Sequence, residues 1–148
     1  MRAVIQRVKE AKVLVEGCSL SEIKKGMLIL LGVGREDTME DVKYLANKIA
    51  NIRIFEDREK RTNLSLKDVE GEIMLIPQFT LYANTKRGRR PDFIEAAESS
   101  LAQELFSELS RSLKEGGFKV EEGLFGERME VSLINDGPFT IIIDSKRI

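Results

Sequence analysis

The chain has no histidine, no tryptophan and a single cysteine among its 148 residues. Each absence removes a kind of chemistry. Without histidine there is no Ser-His or Cys-His pair to activate a nucleophile. With no imidazole and one thiol, the usual cysteine and histidine sets of structural zinc cannot be assembled. Cys18 alone excludes an intramolecular disulfide. No metal and no organic cofactor are expected. Long apolar runs are also missing. The longest, Met27-Leu28-Ile29-Leu30-Leu31, suits a buried strand and falls far short of the roughly 20 residues of a membrane span. Charges interrupt Met1–Arg7 too soon for a signal peptide, so a cytoplasmic location without a membrane partner is expected. Neither sign of charge dominates: 24 Lys and Arg stand against 25 Asp and Glu, a net charge of −1. Nothing global advertises nucleic-acid binding, which would need a local basic patch. Any catalysis must use hydroxyls, carboxylates, amines, backbone dipoles or the substrate itself.

What is present is ordinary soluble-domain material, 42% hydrophobic and 33% charged. The length suits one domain over residues 1–148 with a core of its own. Residues 2–8 alternate as a strand, and 11–15 extend it. Glu16–Ser19 reads as a turn, then Leu20–Ile23 and Gly26–Val33 as strands. Thr38 is an N-cap candidate for a helix near 39–51, with Val42, Leu45, Ala46 and Ile49 at helical spacing. A short strand near Ile52–Phe55, a charged loop over Glu56–Thr62 and a strand at Glu72–Ile76 follow. Asp92 is a second N-cap candidate. Beyond it Ile94, Ala97, Leu101, Leu105, Leu109 and Leu113 form a stripe that ends at Gly116-Gly117. The last third returns to strands. This order predicts an α/β fold: a layered α/β/β domain, mixed-sheet or barrel-like, with two main helices on one side.

Two short segments stand out. Pro77-Gln78-Phe79-Thr80-Leu81-Tyr82-Ala83, read as a strand, puts the polar Gln78 and Thr80 on one face. That pattern fits a solvated edge strand as well as a site. Asn135-Asp136-Gly137-Pro138-Phe139-Thr140 lies between the apolar runs 131–134 and 141–143. Proline cannot donate to a strand ladder. The segment therefore reads either as a hairpin turn or as backbone presented to a ligand. Lys86-Arg87-Gly88-Arg89-Arg90-Pro91 is a basic, irregular loop.

Together these segments resemble the D-aminoacyl-tRNA deacylase family, which carries Ser-Gln-Phe-Thr-Leu in mid-chain and Asn-x-Gly-Pro-x-Thr near its end. Val4–Val8, Leu30–Val33, Asn51–Phe55 and the basic stretch fit as well, so the resemblance runs through nearly the whole chain. It implies hydrolysis of the ester between a D-amino acid, or glycine, and tRNA, by a homodimer with its sites at the dimer interface. It implies a cis Gly137–Pro138 peptide that enters the partner's site. Carbonyls there would collide with an L side chain and accept a D-amino acid or glycine. Arg7 is expected to brace that segment, since guanidinium grips carbonyls with several donors.

Thr80 matches the threonine proposed as the family's nucleophile. A threonine hydroxyl needs an adjacent base, and no histidine exists to supply one. Thr80 is therefore assigned to positioning or oxyanion support, with the N–H groups of Phe79 and Thr80 as donors. Gln78 is expected to bond the aminoacyl or ribose end. Phe125 and Met129 fit the pocket lining or the core. Lys86, Arg87, Arg89 and Arg90 are candidate tRNA phosphate contacts. The departure from the pattern is Pro77, where the family has serine, which removes a hydroxyl and an N–H from the site edge. A non-catalytic dimeric RNA-binding protein of the same fold is the alternative. An editing domain that works only when joined to a synthetase is disfavoured by the length and the lack of a linker.

Overall fold

The computed structural model describes residues 1–86 and 88–146. Strand β1 (Arg2–Val15) is the spine of the sheet. Its C-terminal half pairs antiparallel with β2 (Cys18–Ile23), and its N-terminal half with β3 (Gly26–Gly32). After helix α1 (Met39–Asn51) comes a separate hairpin of β4 (Arg53–Glu56) and β5 (Thr62–Ser65). Strand β6 (Glu72–Pro77) returns parallel to β3, and β7 (Val120–Glu122) lies parallel to β6 beyond helix α2 (Ser99–Glu115). The final strand, β8 (Glu130–Asp144), runs antiparallel along nearly all of β1. Order in the main sheet is β2-β1-β3-β6-β7, with β8 also on β1. The Ser21 hydroxyl of β2 donates to the Glu122 carbonyl of β7 at 3.1 Å, drawing the two sheet edges together. The result is a mixed, nearly closed, barrel-like sheet.

Period-2 alternation divides the apolar residues between two cores. Met27, Ile29, Leu31, Ile73 and Leu75 point outward to both helices, which bury Val42, Leu45 and Ile49 of α1 and Leu105, Phe106, Leu109 and Leu113 of α2. Leu28, Met74 and Ile76 point the other way, onto Val8, Ala11, Val13 and Ile23. Burial of each large side chain stabilises the fold by roughly 1.5–3 kcal/mol. Both helices thus lie on one side, and the expected α/β/β layering holds.

Helix α1 begins where the sequence indicates. The Thr38 hydroxyl accepts from the Glu40 N–H while the Asp41 carboxylate accepts from the Thr38 N–H, a complete capping box. Other expectations need correction. Helix α2 starts at Ser99 after Glu98, not after Asp92. Asp92 instead exchanges backbone bonds with Asn84 at 2.8 and 3.1 Å, closing the basic loop at its neck, and Ile94 lies exposed outside the helix. Strand β5, Thr62–Ser65, which the sequence reading did not anticipate, begins at the last residue of the expected charged loop. The 79–82 segment is not a strand: Phe79–Tyr82 is one 3-10 turn, with Leu81 N–H donating to the Gln78 carbonyl and Ala83 N–H to that of Thr80. Gly32 makes room for it, since a Cβ there would lie 3.0 Å from both the Gln78 oxygen and Leu81 Cβ.

Nor is 135–140 a hairpin turn. It is a wide bulge inside β8. Gln6 pairs with Thr140 and Val8 with Asn135, so Asp136, Gly137, Pro138 and Phe139 loop out opposite Arg7 alone. The Gly137–Pro138 peptide is cis, and Gly137 sits at φ +150°.

Candidate active site

The end of β6 feeds the 3-10 turn at the mouth of a cleft of about 610 Å³. Pro77, Gln78 and Phe79 form one wall, Ala102 and Phe106 of α2 another, and Phe125, Met129 and Val131 a third. Proline is tolerated at position 77 because it is the last residue of its strand, and the ladder continues through the Gln78 N–H, 2.8 Å from the Leu31 carbonyl. The exposed Phe79 ring packs edge-on against Phe93, with centroids 5.0 Å apart. Phe125 meets Phe106 at 6.3 Å, and the Met129 sulfur receives the Leu124 N–H at 3.3 Å. Phe125 and Met129 therefore line the cleft while packing against its walls.

A 3-10 turn leaves the N–H groups of its first residues without acceptors inside the turn. Here those residues are Phe79, which lines the cleft, and Thr80, which does not. Among the described residues the Thr80 hydroxyl has one partner, the side-chain amide of Gln78, which donates to it. An amide is no general base, and no carboxylate or amine among the described residues contacts this hydroxyl.

The bulge is built separately. Arg7 is 5% exposed, in contrast to the solvated residue its charge suggests. Its Nε donates to the Asp136 carbonyl at 2.8 Å and its Nη1 to the Ile54 carbonyl at 2.6 Å. Its guanidinium stacks 4.8 Å from the Phe139 ring centroid, and Glu56 and Asp136 supply carboxylates at 3.7 and 3.8 Å. Asn135 bonds across the base of the bulge: its Oδ1 accepts from the Phe139 N–H at 2.6 Å, and its Nδ2 donates to Thr140 Oγ1 at 3.1 Å. Gly137 and Pro138 are exposed at the tip and do not line the cleft of their own chain.

Lys86, Arg89 and Arg90 are exposed on the loop closed by Asn84 and Asp92, next in sequence to the 3-10 turn. Arg87 lies outside the described residues. Sequence reasoning gave no role to Asn135, Ile54 or Phe93. The asparagine had a signal, since Asn before a Gly-Pro turn commonly satisfies nearby backbone. Ile54 acts through its carbonyl, which no side-chain pattern reveals.

Fold and site define a small barrel-like α/β protein with a cleft at the end of β6, edged by a 3-10 turn and lined by residues that include Gln78, Glu98 and Glu127. Residues 4–144 match the family model described as D-Tyr-tRNA(Tyr) deacylase. Curated relatives named D-aminoacyl-tRNA deacylase include one from Thermosipho africanus, 52% identical over 100% of this chain and 99% of its own length. Another, from Fusobacterium nucleatum, is 54% identical over 99% of this chain and 97% of its own. A solved structure titled c-Myc DNA Unwinding Element Binding Protein superposes with a TM-score of 0.91 at 35% identity, covering 97% of this chain and 98% of that one. A second, titled as a probable eukaryotic D-amino acid tRNA deacylase, gives a TM-score of 0.81 over 96% and 97% of the two chains; at 18% identity it shows the shared fold. The chain belongs to the D-Tyr-tRNA(Tyr) deacylase family, hydrolases of the ester bond in D-aminoacyl-tRNA.

Proposed function

We propose that the cleft holds the aminoacyl end of tRNA and that backbone groups supply both the catalysis and the chiral selection. The observation that carries this reading is the 3-10 turn. The Phe79 and Thr80 N–H groups have no backbone acceptor among the described residues and belong to a turn whose first residue lines a cleft of mixed polarity, an arrangement suited to an ester oxyanion. The ester is already reactive and the ribose offers a neighbouring hydroxyl, so holding the ester in place and stabilising its oxyanion supply the rate. Gln78 orients Thr80 and the substrate. Thr80 positions the ester and does not attack it.

Selection falls to Gly137 and Pro138, whose carbonyls would meet an L side chain at the substrate α-carbon. A D-amino acid passes, and so does glycine. Because these residues do not line the cleft of their own chain, a second copy has to supply them. An apolar patch supports such a homodimer. Val4 and Ile142 pair on the sheet face away from the helices, beside Leu81, and Ile142 is 73% exposed. Lys86, Arg89 and Arg90 meet the tRNA backbone, which positions without reading bases. The enzyme works in the cytoplasm, where charged tRNA is used.

A second reading, nucleic-acid binding without hydrolysis, draws support from the solved neighbour titled as a DNA-element binding protein. One experiment separates the two: incubation with matched D-aminoacyl-, L-aminoacyl- and glycyl-tRNA, following ester loss. The proposal expects the D and glycyl esters to be cleaved and the L ester to persist. Binding with no cleavage of any ester supports the second reading. Equal cleavage of all three defeats selection by exclusion.

A further inference from the structure

We propose that Asn135 is a specificity-determining positioning residue, whose side-chain amide fixes how far the Gly137-Pro138 tip projects. This inference rests on the reading of that tip as the chirality probe and adds the part that sets its reach. The β1–β8 ladder cannot do so, because the pairing that holds every other residue of β8 in place is interrupted here. Four residues stand opposite Arg7 alone, so no cross-strand register fixes Gly137 or Pro138. Pro138 has no N–H, which removes one further anchor.

Asn135 replaces the missing ladder from within β8. Its Oδ1 takes the Phe139 N–H at 2.6 Å, its Nδ2 donates to the Phe139 carbonyl at 3.3 Å, and the same Nδ2 donates to Thr140 Oγ1 at 3.1 Å. Gln6 Nε2 lies 3.4 Å from that hydroxyl, tying the closure back to β1. One side chain therefore uses acceptor and donor together to close the base of the bulge between residues 135 and 140. Arg7 holds the outer side through the Asp136 carbonyl. Both grips fall on residues flanking the tip, and both leave Gly137 and Pro138 exposed. An L side chain can enter only by pushing the tip back. Resistance to that push comes from the closure, so weakening it should admit L substrates before it abolishes D hydrolysis.

The chemistry grades the variants. Asn135→Asp keeps the acceptor for the Phe139 N–H and loses both donated bonds; Asn135→Ala loses all three. The control is Gly137→Ala. A Cβ at this φ would lie 2.8 Å from the Phe139 nitrogen and 3.3 Å from Arg7 Nη2, so the tip itself must shift. For each folded variant, kcat and KM are measured on D- and L-aminoacyl-tRNA and compared as the L-to-D ratio of kcat/KM.

Loss of two or three hydrogen bonds predicts a ratio raised by roughly tenfold or more in Asn135→Ala, a smaller rise in Asn135→Asp, and D-substrate kcat lowered by less than about fivefold. A purely structural role would lower kcat on both substrates or the melting temperature and leave the ratio unchanged. If Gly137→Ala relaxes the ratio and neither Asn135 variant does, the inference is overturned while the probe reading stands. If none of the three relaxes it, the probe reading falls, and this inference with it. Where Asn135→Ala does not fold, Asn135→Asp and Thr140→Val, which keeps the side-chain shape and loses the acceptor hydroxyl, give the same comparison.

Discussion

At the scale of single residues, polar side chains here act mostly by holding backbone in place. Arg7 is the clearest case: a buried cation whose partners are two carbonyls, an aromatic face and two more distant carboxylates. A lysine would keep the charge and lose the fork, because one ammonium cannot reach both carbonyls in the same geometry. Arg7→Lys should cost about 2 kcal/mol in chemical denaturation and raise the L-to-D ratio. An unchanged ratio would leave Arg7 as scaffold only. That Arg7 contacts the Gly137-Pro138 segment was expected from its match to a family pattern, and its bond to the Asp136 carbonyl agrees. That it is buried was not, because Ile54 and Phe139 reach it from distant parts of the chain.

Among elements, the shapes of the 3-10 turn and the bulge were not legible from sequence, for physical reasons. Four residues are too few to show a helical period, and Gln78-Phe79-Thr80-Leu81 alternates like a strand. The turn forms because Gly32 leaves room beneath it and the Leu31 carbonyl takes the Gln78 N–H. Asn-Asp-Gly-Pro between apolar runs suits a hairpin, and only the unbroken partner strand β1 makes it a bulge. The long elements were legible, since β1, β3, α1 and α2 carry periodic apolar stripes that tertiary packing uses directly. The basic loop at 84–92 is the element proposed to meet the tRNA backbone. If it meets phosphates, the slope of log affinity against log salt for tRNA should fall by about 1 for each of Lys86→Gln, Arg89→Gln and Arg90→Gln. Unchanged slopes would remove the loop from the binding surface.

For the whole molecule, two predictions concern assembly and acid stability. Ile142→Asp places a carboxylate in the exposed apolar patch formed with Val4 and Leu81. It should yield a folded monomer by light scattering, with the L-to-D ratio of kcat/KM raised, because each cleft would lack the partner's Gly137 and Pro138. A monomer that still rejects the L ester would contradict the in-trans site. Acid stability turns on Asp41, which sits where the end of β8, the start of β1 and the N-terminus of α1 converge. Burial acts to raise its pKa. The hydrogen bonds from Ser145, Lys146 and the Thr38 N–H outweigh that and hold it well below the ordinary carboxylate range. Its contribution is therefore present above the unfolded-state pKa and lost as pH falls through the folded one. The stability gap between wild type and Asp41→Asn should be constant above about pH 5 and narrow below about pH 4. A gap that does not vary with pH would mean that the charge of Asp41 contributes nothing.

The central claim is that no side-chain nucleophile cleaves the ester. It is tested most directly by single-turnover hydrolysis of D-aminoacyl-tRNA with folded, dimeric Thr80→Ala. The backbone donors and the cleft survive this change, so the rate should stay within roughly tenfold of wild type. Abolition of hydrolysis in that dimer would contradict the account and make Thr80 the nucleophile.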